Sequence, residues 1–402
     1  MEETQTNLGL LGTIKNRPED FVVEELPLYE PCGEGEHVYL CVRKTGMSNE
    51  LLVQQIASTC QVQPRSIGTA GRKDRLAVTT QLVSVHLPGK TNIDIAFPQK
   101  GIELLWRSKH TNKLRLGHLR GNRFDIRIRD IDPIKVATLQ KRLARIVSLG
   151  LPNAFGTQRF GNDTNNHLLG AALFAKDYQT LVSLLLQGTE RHHTFALGRE
   201  YKKALDSWPF GSPIERRVLE ALSMGKSVQQ ACKTIPYKMQ KLWANALQSY
   251  VFNQTLQSRQ MDGTWDQLHV GDLAWIHNGG GRTFEVREED ILSGELCERI
   301  AKKELFPTGP LWGPKMRKPS GNIAAKERAV LLQENISQEL MCKDQNIVRG
   351  ARRPLGVPVS NASISSGVDV HGNYIRLGFE LPAGSYATVL IDSILHPSPC
   401  EH

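Results

Sequence analysis

The sequence lacks the side-chain patterns that hold metals and the common cofactors. Its seven cysteines are widely scattered, none forms a CxxC pair, and none stands at zinc-ligand spacing from a histidine. No G-x-G-x-x-G follows a strand pattern and opens a helix, which argues against a Rossmann dinucleotide site and the usual methyltransferase pocket. A G-x-S-x-G nucleophile elbow is missing too. We therefore expect no metal and no cofactor.

Long apolar runs and a targeting segment are also missing. No run approaches the roughly 20 apolar residues that span a bilayer. The first residues, MEETQTN, are polar and acidic, unlike a signal or transit peptide. An odd number of scattered cysteines fits thiols in a reducing compartment. We expect a cytoplasmic protein with no membrane contact.

The composition is that of an ordinary globular protein with a basic excess. The chain of 402 residues is long enough for two domains, 40% of it is hydrophobic, and its formal net charge is +9. The excess is concentrated between Arg107 and Arg129, where eight Lys or Arg stand against one acid, Asp125. A stretch of this density predicts a surface that follows nucleic-acid phosphates. The alternative is a basic face that serves only solubility.

One short segment, Gly68–Gln81, sets a carboxylate among three cations. Asp74 stands beside Arg72, Lys73 and Arg75, after three small residues and before a β-prone run. Small residues let a backbone approach a ligand closely, and neighbouring cations favour an ionised carboxylate and can hold phosphate. Because a charged carboxylate repels a polyanion, the pattern favours chemistry on a nucleic acid over binding alone. The alternative is a solvated turn with exposed ion pairs, which contribute little.

Strand and helix patterns alternate over the first 150 residues, and loops and helices follow. Phe124–Arg129 alternates apolar and charged residues as a strand does, and a helical stripe after it ends at Gly150. Ser48 is a predicted helix N-cap. Ser212 and Glu215 predict a capping box at the start of another helix.

Two further segments have both a binding and a packing interpretation. In GNRF, Asn122 could orient a carboxylate or a base edge and Phe124 could stack on a base, or the two are a turn residue and a core residue. LPAGSYAT, Leu381–Thr388, predicts a turn into a helix or strand. Small residues at a helix start can bind phosphate through backbone N–H groups, with Tyr386 near the ligand. A capped surface helix is the alternative.

Seven segments, taken in order, resemble the tRNA pseudouridine synthase D (TruD) family. They are PEDFVVEE (Pro18–Glu25), GEGEH (Gly33–His37), GRKDRLAVTTQ (Gly71–Gln81), KLRLGHLRGNRF (Lys113–Phe124), PNAFGTQRFG (Pro152–Gly161), LQSYVFNQ (Leu247–Gln254) and LPAGSYAT. No single motif is decisive, but their common order is specific.

The resemblance implies an α+β fold in two parts. Residues 1–149 and 357–402 would form a pseudouridine-synthase catalytic domain with a mixed β-sheet. Residues 150–356 would form an α/β insertion domain typical of the family (TRUD). We expect a monomer.

The resemblance also implies an activity, the isomerisation of a uridine in tRNA to pseudouridine, at position 13 in bacterial members. Asp74 would be the catalytic carboxylate, acting as a nucleophile or as a base toward the ribose, with Lys73 and Asn122 beside it. The expected substrate-binding residues are Phe21, Phe124, Tyr386, Arg72, Arg115 and Arg120.

Two alternatives stay open. A non-catalytic RNA-binding or RNA-folding protein could use the same scaffold. The same isomerase could also act on other RNAs, because the link between Gly161 and Leu247 is longer than we expect for bacterial members and resembles archaeal or eukaryotic ones, whose targets can be broader.

Overall fold

A computed structural model of the protein describes residues 6–7, 12–89, 97, 100–188, 190–343 and 346–396, the first two by backbone alone. The strands are β1 (Thr6–Asn7), β2 (Thr13–Ile14), β3 (Phe21–Pro27), β4 (His37–Thr45), β5 (Ile67–Thr69), β6 (Val78–His86), β7 (Ile102–His110), β8 (Leu119–Arg129), β9 (Leu151–Pro152), β10 (Leu273–Ile276), β11 (Thr283–Glu285), β12 (Leu305–Leu311), β13 (Ala351–Pro354), β14 (Gly356–Val357), β15 (Ser360–Asp369) and β16 (Gly372–Pro382).

The helices are α1 (Asn49–Cys60), α2 (Val136–Leu149), α3 (Asn166–Ala175), α4 (Tyr178–Leu185), α5 (Arg191–Leu197), α6 (Tyr201–Ser207), α7 (Pro213–Ser223), α8 (Val228–Cys232), α9 (Tyr237–Met261), α10 (Glu288–Leu292), α11 (Gly294–Ala301), α12 (Gly321–Gln333), α13 (Gln338–Lys343) and α14 (Ala387–Leu395).

The chain divides into two compact units. Unit 1 comprises Met1–Leu151 and Val357–His402, and unit 2 comprises Pro152–Gly356. The breaks predicted from the sequence were 149/150 and 356/357. The assignment of a catalytic role to one part and an insertion role to the other stays a prediction.

Unit 1 is built on a mixed sheet to which ten of the described strands belong. The strand order is β1-β2-β8-β3-β6-β4-β7, with β16 and β15 attached beyond β8 and β5 attached to β6. Strands β3 and β6 run parallel, whereas β8 runs antiparallel to both β3 and β16. The register sets Lys44, Thr79, Val23 and Phe124 in one row across β4, β6, β3 and β8.

Helices pack, through two apolar clusters, against the face of the sheet that carries this row. Leu52 and Ile56 of α1 pack on Leu40 and Val42 of β4. A second cluster joins α2 and α14 to the buried residues of β8, which include Ile126. The alternation of β8 explains the second cluster, since every other side chain points into it. Val23 and Phe124 of this row belong to the second cluster.

Unit 2 combines a helical bundle with a small sheet. Helix α3 packs closely on α9, because a Cβ on Gly170 would stand only 2.4 Å from the carbonyl oxygen of Trp243. Leu181, Val218 and Trp243 are core residues of this bundle. A four-stranded sheet of order β11-β10-β12-β13 completes the unit.

The predicted helix caps have different outcomes. Ser48 accepts a hydrogen bond from the Leu51 N–H at 3.2 Å, so this N-cap is confirmed. Ser212 precedes α7 but makes no side-chain cap hydrogen bond, so the predicted capping box was wrong. A capping box forms instead at α8, between Ser227 and Gln230.

Candidate active site

Asp74 lies in the loop between β5 and β6, and buried small residues hold both ends of this loop. Ala70 and Ala77 are buried at its two ends. Gly68 allows a close approach, because a Cβ there would stand 2.1 Å from the Leu114 carbonyl oxygen. The loop is thereby fixed to the sheet, while the Asp74 side chain stays 46% exposed. The carboxylate can therefore reach a ligand.

Lys15 supplies the cation that contacts this carboxylate. Its Nζ donates to Asp74 Oδ2 at 2.6 Å. The lysine adopts a left-handed backbone conformation with a φ of 61°, and its ammonium lies 4.6 Å from the centroid of the Phe21 ring. Sequence reasoning missed Lys15, because 59 residues separate it from Asp74.

A second lysine supports the backbone of the same residue. Lys44 is 0% exposed, and its Nζ donates to the main-chain carbonyl oxygens of Asp74 at 2.7 Å and Met47 at 2.6 Å. An ammonium removed from water needs such acceptors. Lys44 therefore connects the Asp74 loop to the turn that follows β4.

The Lys73 ammonium contacts two residues of neighbouring strands. It donates to Asn122 Oδ1 at 2.5 Å and lies 3.0 Å from Glu25 Oε2, in an ion pair whose two side chains are both buried. Glu25 and Asn122 are opposite partners on β3 and β8, so the register sets both acceptors beside Lys73. The expected role of Lys73 in tuning and positioning Asp74 stays a prediction.

The other cations of the segment lie in solvent. Arg72 and Arg75 are both exposed. In the part of the chain that the structure describes, neither makes an ion pair with an acid. They are therefore available to a polyanion, and the role of Arg72 in substrate binding stays a prediction.

Phe21 and Phe124 are core residues in this structure. They are 3% and 7% exposed, and Phe124 stacks on Phe379 with ring centroids 5.2 Å apart. The rings of Phe21 and Phe124 meet edge to face, with their centroids 6.3 Å apart. Their burial agrees with the packing interpretation of these residues, and a contact with substrate stays a prediction.

The LPAGSYAT segment lies beside the strand that carries Asn122. Leu381 is the register partner of Asn122, and the Ala383 N–H donates to the Arg120 carbonyl oxygen at 3.1 Å. The segment then enters α14, whose N-cap residue is the half-buried Tyr386. This places the segment next to the Lys73–Asn122 contact, whereas the role of Tyr386 stays a prediction.

The basic stretch from Arg107 to Arg129 divides into two parts. Arg115 and Arg120 are exposed, and neither forms an ion pair among the described residues. Further along β8, from Arg123 on, the charge is neutralised: Arg123 contacts Glu24 and Glu380, and Arg129 contacts Asp20 and Asp369. The distances are 2.9 and 2.8 Å for Arg123 and 2.6 and 2.9 Å for Arg129.

These pairs change how the stretch must be interpreted. The Arg129 guanidinium holds the pKa of the Asp369 carboxyl well below its usual range. The expectation that the whole stretch follows phosphates therefore overcounted its free charge. Arg115, before β8, and Arg120, at the start of β8, stay exposed and form no ion pair among the described residues.

The described residues contain no group of three or more His, Cys, Asp or Glu side chains placed to hold a metal ion. No described helix is both long and apolar enough to cross a membrane.

Comparison with known proteins decides the family. The model of the family described as tRNA pseudouridine synthase D (TruD) matches residues 4–394. The chain belongs to the tRNA pseudouridine synthase D (TruD) family. The family predicted from the seven motifs is thus confirmed.

Relatives and a solved structure extend the TruD comparison. The tRNA pseudouridine synthase D of Syntrophotalea carbinolica is 34% identical, with 96% of each chain covered. That of Thermus thermophilus is 33% identical over 99% of this chain and 93% of its own. A crystal structure assigned to TruD from Methanosarcina mazei matches with a TM-score of 0.78 at 24% identity, covering 97% of this chain and 94% of that one. This likeness confirms the predicted α+β fold class.

The relatives span a similar length to this chain. The Syntrophotalea carbinolica relative aligns over 96% of both chains. The expectation that the link between Gly161 and Leu247 is longer than in bacterial TruD members stays a prediction.

Proposed function

We propose that this chain isomerises a uridine in tRNA to pseudouridine and that Asp74 is the catalytic carboxylate. The observation that carries the proposal is the TruD match over residues 4–394. The site agrees with it, since an exposed carboxylate is held by a lysine in the sheet unit. The predicted enzyme class, a pseudouridine synthase, is confirmed by the family.

The reaction moves the ribose from one atom of uracil to another. The bond between N1 and C1′ breaks, the base turns while it stays bound, and a bond between C5 and C1′ forms. The hydrogen on C5 leaves as a proton and N1 gains one, so no atom is added or lost. The isomerisation requires no electron donor or group donor.

An ionised carboxylate can start this reaction in two ways. Asp74 can attack C1′ as a nucleophile and displace uracil, or it can take a proton from C2′ and drive elimination of the base. Deuterium at C2′ of the target uridine distinguishes them. Elimination predicts a primary isotope effect on the single-turnover rate at which the hydrogen on C5 is released. Direct displacement predicts a ratio of the unlabelled to the deuterated rate near one.

The target base must leave its stack to reach Asp74. We propose Arg72, Arg115 and Arg120 as phosphate contacts, which their exposure supports. Tyr386 is a proposed base contact, supported by the position of its segment beside Asn122.

Two aromatic candidates for substrate contact, Phe21 and Phe124, are buried in the structure. We propose Phe21 and Phe124 as substrate contacts of the family pattern, a role that would require their rings to become accessible on binding. In the structure Phe21 lies under the Lys15 ammonium and so also supports the cation that contacts Asp74.

The exact target is a finer proposal. Position 13 of tRNA is the proposed uridine, because the relatives are bacterial tRNA pseudouridine synthases D. Other RNA targets and an RNA-binding protein without catalysis are the alternatives. Mapping pseudouridine in tRNA after reaction with the protein distinguishes all three.

We also propose a monomer that acts in the cytoplasm. All six cysteines within the described residues are free thiols, as is usual in a reducing compartment. Sedimentation and cell fractionation test these two points.

Tritium release from tRNA with 5-tritiated uridine tests the function. Wild-type protein should release tritium, because the hydrogen on C5 is lost. Asp74→Asn should reduce release by at least about 10⁴-fold, since the amide can neither displace uracil nor take a proton. Its tRNA affinity should stay the same or rise, because one charge that repels phosphate is gone.

Asp206→Asn is the matched control, since Asp206 is an exposed aspartate of unit 2. It should behave as wild type. Binding of tRNA without tritium release by the wild-type protein would instead favour the RNA-binding alternative, and equal release by Asp74→Asn would refute the role of Asp74.

A further inference from the structure

Lys44 is a buried cation that the proposed chemistry does not use directly. The side chain is 0% exposed, in the row of β4 residues that faces the helices. Burial of an ammonium is costly unless acceptors surround it. Two acceptors are main-chain carbonyl oxygens, at 2.6 Å on Met47 and 2.7 Å on Asp74. The cation is thus directed at the backbone of the residue that carries the carboxylate.

The backbone of Lys44 lies within the sheet, whereas the residue whose carbonyl oxygen it contacts lies in a loop. Strand β4 lies between two others, and Lys44 is the register partner of Thr79 on β6 and of Ile102 on β7. Asp74, by contrast, lies in a loop outside any strand. The turn after β4 also bonds to the end of this loop, since the Gly46 N–H donates to the Ala77 carbonyl oxygen at 3.3 Å. Lys44 therefore transfers the order of the sheet to the Asp74 backbone.

The contacts of Lys15 and Lys44 divide the support of Asp74 between two groups. Lys15 contacts the carboxylate itself, at a side chain that is 46% exposed. Lys44 contacts the carbonyl on the other side of the same residue, out of reach of solvent. Removal of Lys15 changes a group that substrate can approach, whereas removal of Lys44 takes away the hydrogen bonds to the main-chain carbonyl oxygens of Asp74 and Met47.

We propose that Lys44 is a positioning residue for Asp74. Its ammonium fixes the Asp74 peptide by a charge-assisted hydrogen bond to the main-chain carbonyl oxygen. The proposal rests on the proposed function of Asp74. Because catalysis depends steeply on the position of reacting groups, loss of Lys44 should lower the rate by about 10- to 100-fold. Binding of tRNA should change less than about twofold.

The first experiment removes the ammonium and then returns it. Lys44→Ala should lose about 10- to 100-fold in single-turnover tritium release, and propylammonium or butylammonium added to the buffer should restore part of it. Tetramethylammonium at equal ionic strength should not, because it has no N–H to donate to the Asp74 carbonyl. Lys326→Ala, which removes an exposed lysine paired with Asp262 in unit 2, should release tritium as wild type does.

Lys44→Met covers the case in which the alanine variant does not fold. Methionine fills a similar volume without a donor. Hydrogen exchange then measures how readily the amides of the loop open to solvent, and this measurement requires no turnover. The amides of 70–77 should exchange about tenfold faster or more, and those of β8 should not change.

The outcomes separate this proposal from the proposed function. A folded Lys44→Met variant with wild-type release and wild-type exchange in 70–77 would overturn the proposal. Faster exchange throughout unit 1, with no rescue by alkylammonium, would also overturn it, because Lys44 would then serve only the stability of the unit. A wild-type protein that releases no tritium would refute the proposed function, whereas the exchange measurement would still decide whether Lys44 orders the loop.

Discussion

Three lysines near Asp74 contact three different groups. Lys15 contacts the carboxylate, Lys44 the main-chain carbonyl, and Lys73 the pair formed by Glu25 and Asn122. Among the ion pairs of the described residues, that of the Asp74 carboxylate is with Lys15. The local arrangement therefore separates holding the carboxylate from organising the surrounding strands.

The Glu25–Lys73 pair permits a prediction about stability. Both side chains are buried, so Glu25→Gln leaves an ammonium without its counter-charge. Breaking such a pair costs about 3 to 5 kcal/mol. We expect the free energy of unfolding, measured with urea, to fall by about this amount.

A double variant separates stability from activity at this pair. Glu25→Gln with Lys73→Met removes both charges, so much of the lost stability should return. Tritium release should stay low if Lys73 and its contact with Asn122 serve the reaction. Full release by a stable double variant would show that this pair is needed only for folding.

At the scale of elements, β8 has a different character on each face. Phe124, Ile126 and Ile128 are buried on one face, and Arg123 and Arg127 lie on the other. Acids from neighbouring strands pair with these arginines, as Glu24 and Glu380 do with Arg123. The strand from Arg123 on therefore contributes to the packing of the sheet, whereas Arg115 in the connector and Arg120 at the start of the strand form no ion pair among the described residues.

The difference between Arg115 and Arg120, which form no ion pair among the described residues, and the paired arginines further along β8 predicts which arginines bind RNA. Arg115→Gln with Arg120→Gln should weaken binding to every tRNA and reduce the slope of log affinity against log salt by up to about two. Filter binding at several salt concentrations measures this slope. Arg127→Gln, in β8, is the control and should leave the slope unchanged, because Asp369 already pairs with that arginine. A loss confined to one RNA sequence would contradict the phosphate role.

Local elements could be predicted from the sequence because their causes are local. The alternation in β8 and the Ser48 cap each depend on residues within a few positions, and both are present. The cap at Ser212 shows the limit, since its residues fit the pattern and the required geometry does not form. Local composition also could not show that acids from other strands neutralise Arg123 and Arg129.

At the scale of the molecule, the candidate site required the fold before it could be assembled. Asp74 and Asn122 were candidates because their segments resemble family motifs, but Lys15 and Glu25 join them only through strand order and register. Lys44 could not be assigned from the sequence, because an alternating position on a strand does not show which loop its ammonium reaches. Such contacts are set by tertiary packing, and the sequence carries them only in the arrangement of the whole sheet.

The stability of unit 1 should depend on pH through a row of histidines across its sheet. His37 of β4 is the register partner of both His86 and His110, and its ring lies 4.7 Å from that of His86. Burial and the charge of His86 lower the pKa of His37 below its ordinary value of 6.5, although Glu36 opposes this shift. Below pH 6.5 the unfolded chain therefore takes up a proton that the folded chain resists.

This difference in proton binding sets the sign of the pH dependence of the free energy of unfolding. Since the unfolded state binds more protons between pH 6.5 and the lower pKa of folded His37, the free energy of unfolding should fall as pH falls through that window, by at most about 1.4 kcal/mol per pH unit for one proton. His37→Phe keeps an aromatic ring against His86 and removes the titration, so its fall should be shallower in urea unfolding at pH 7.5, 6.5 and 5.5. His396→Phe, at an exposed histidine beside Asp392, is the control and should not reduce the fall. Parallel curves for His37→Phe and wild type would show that His37 does not couple folding of the sheet to pH.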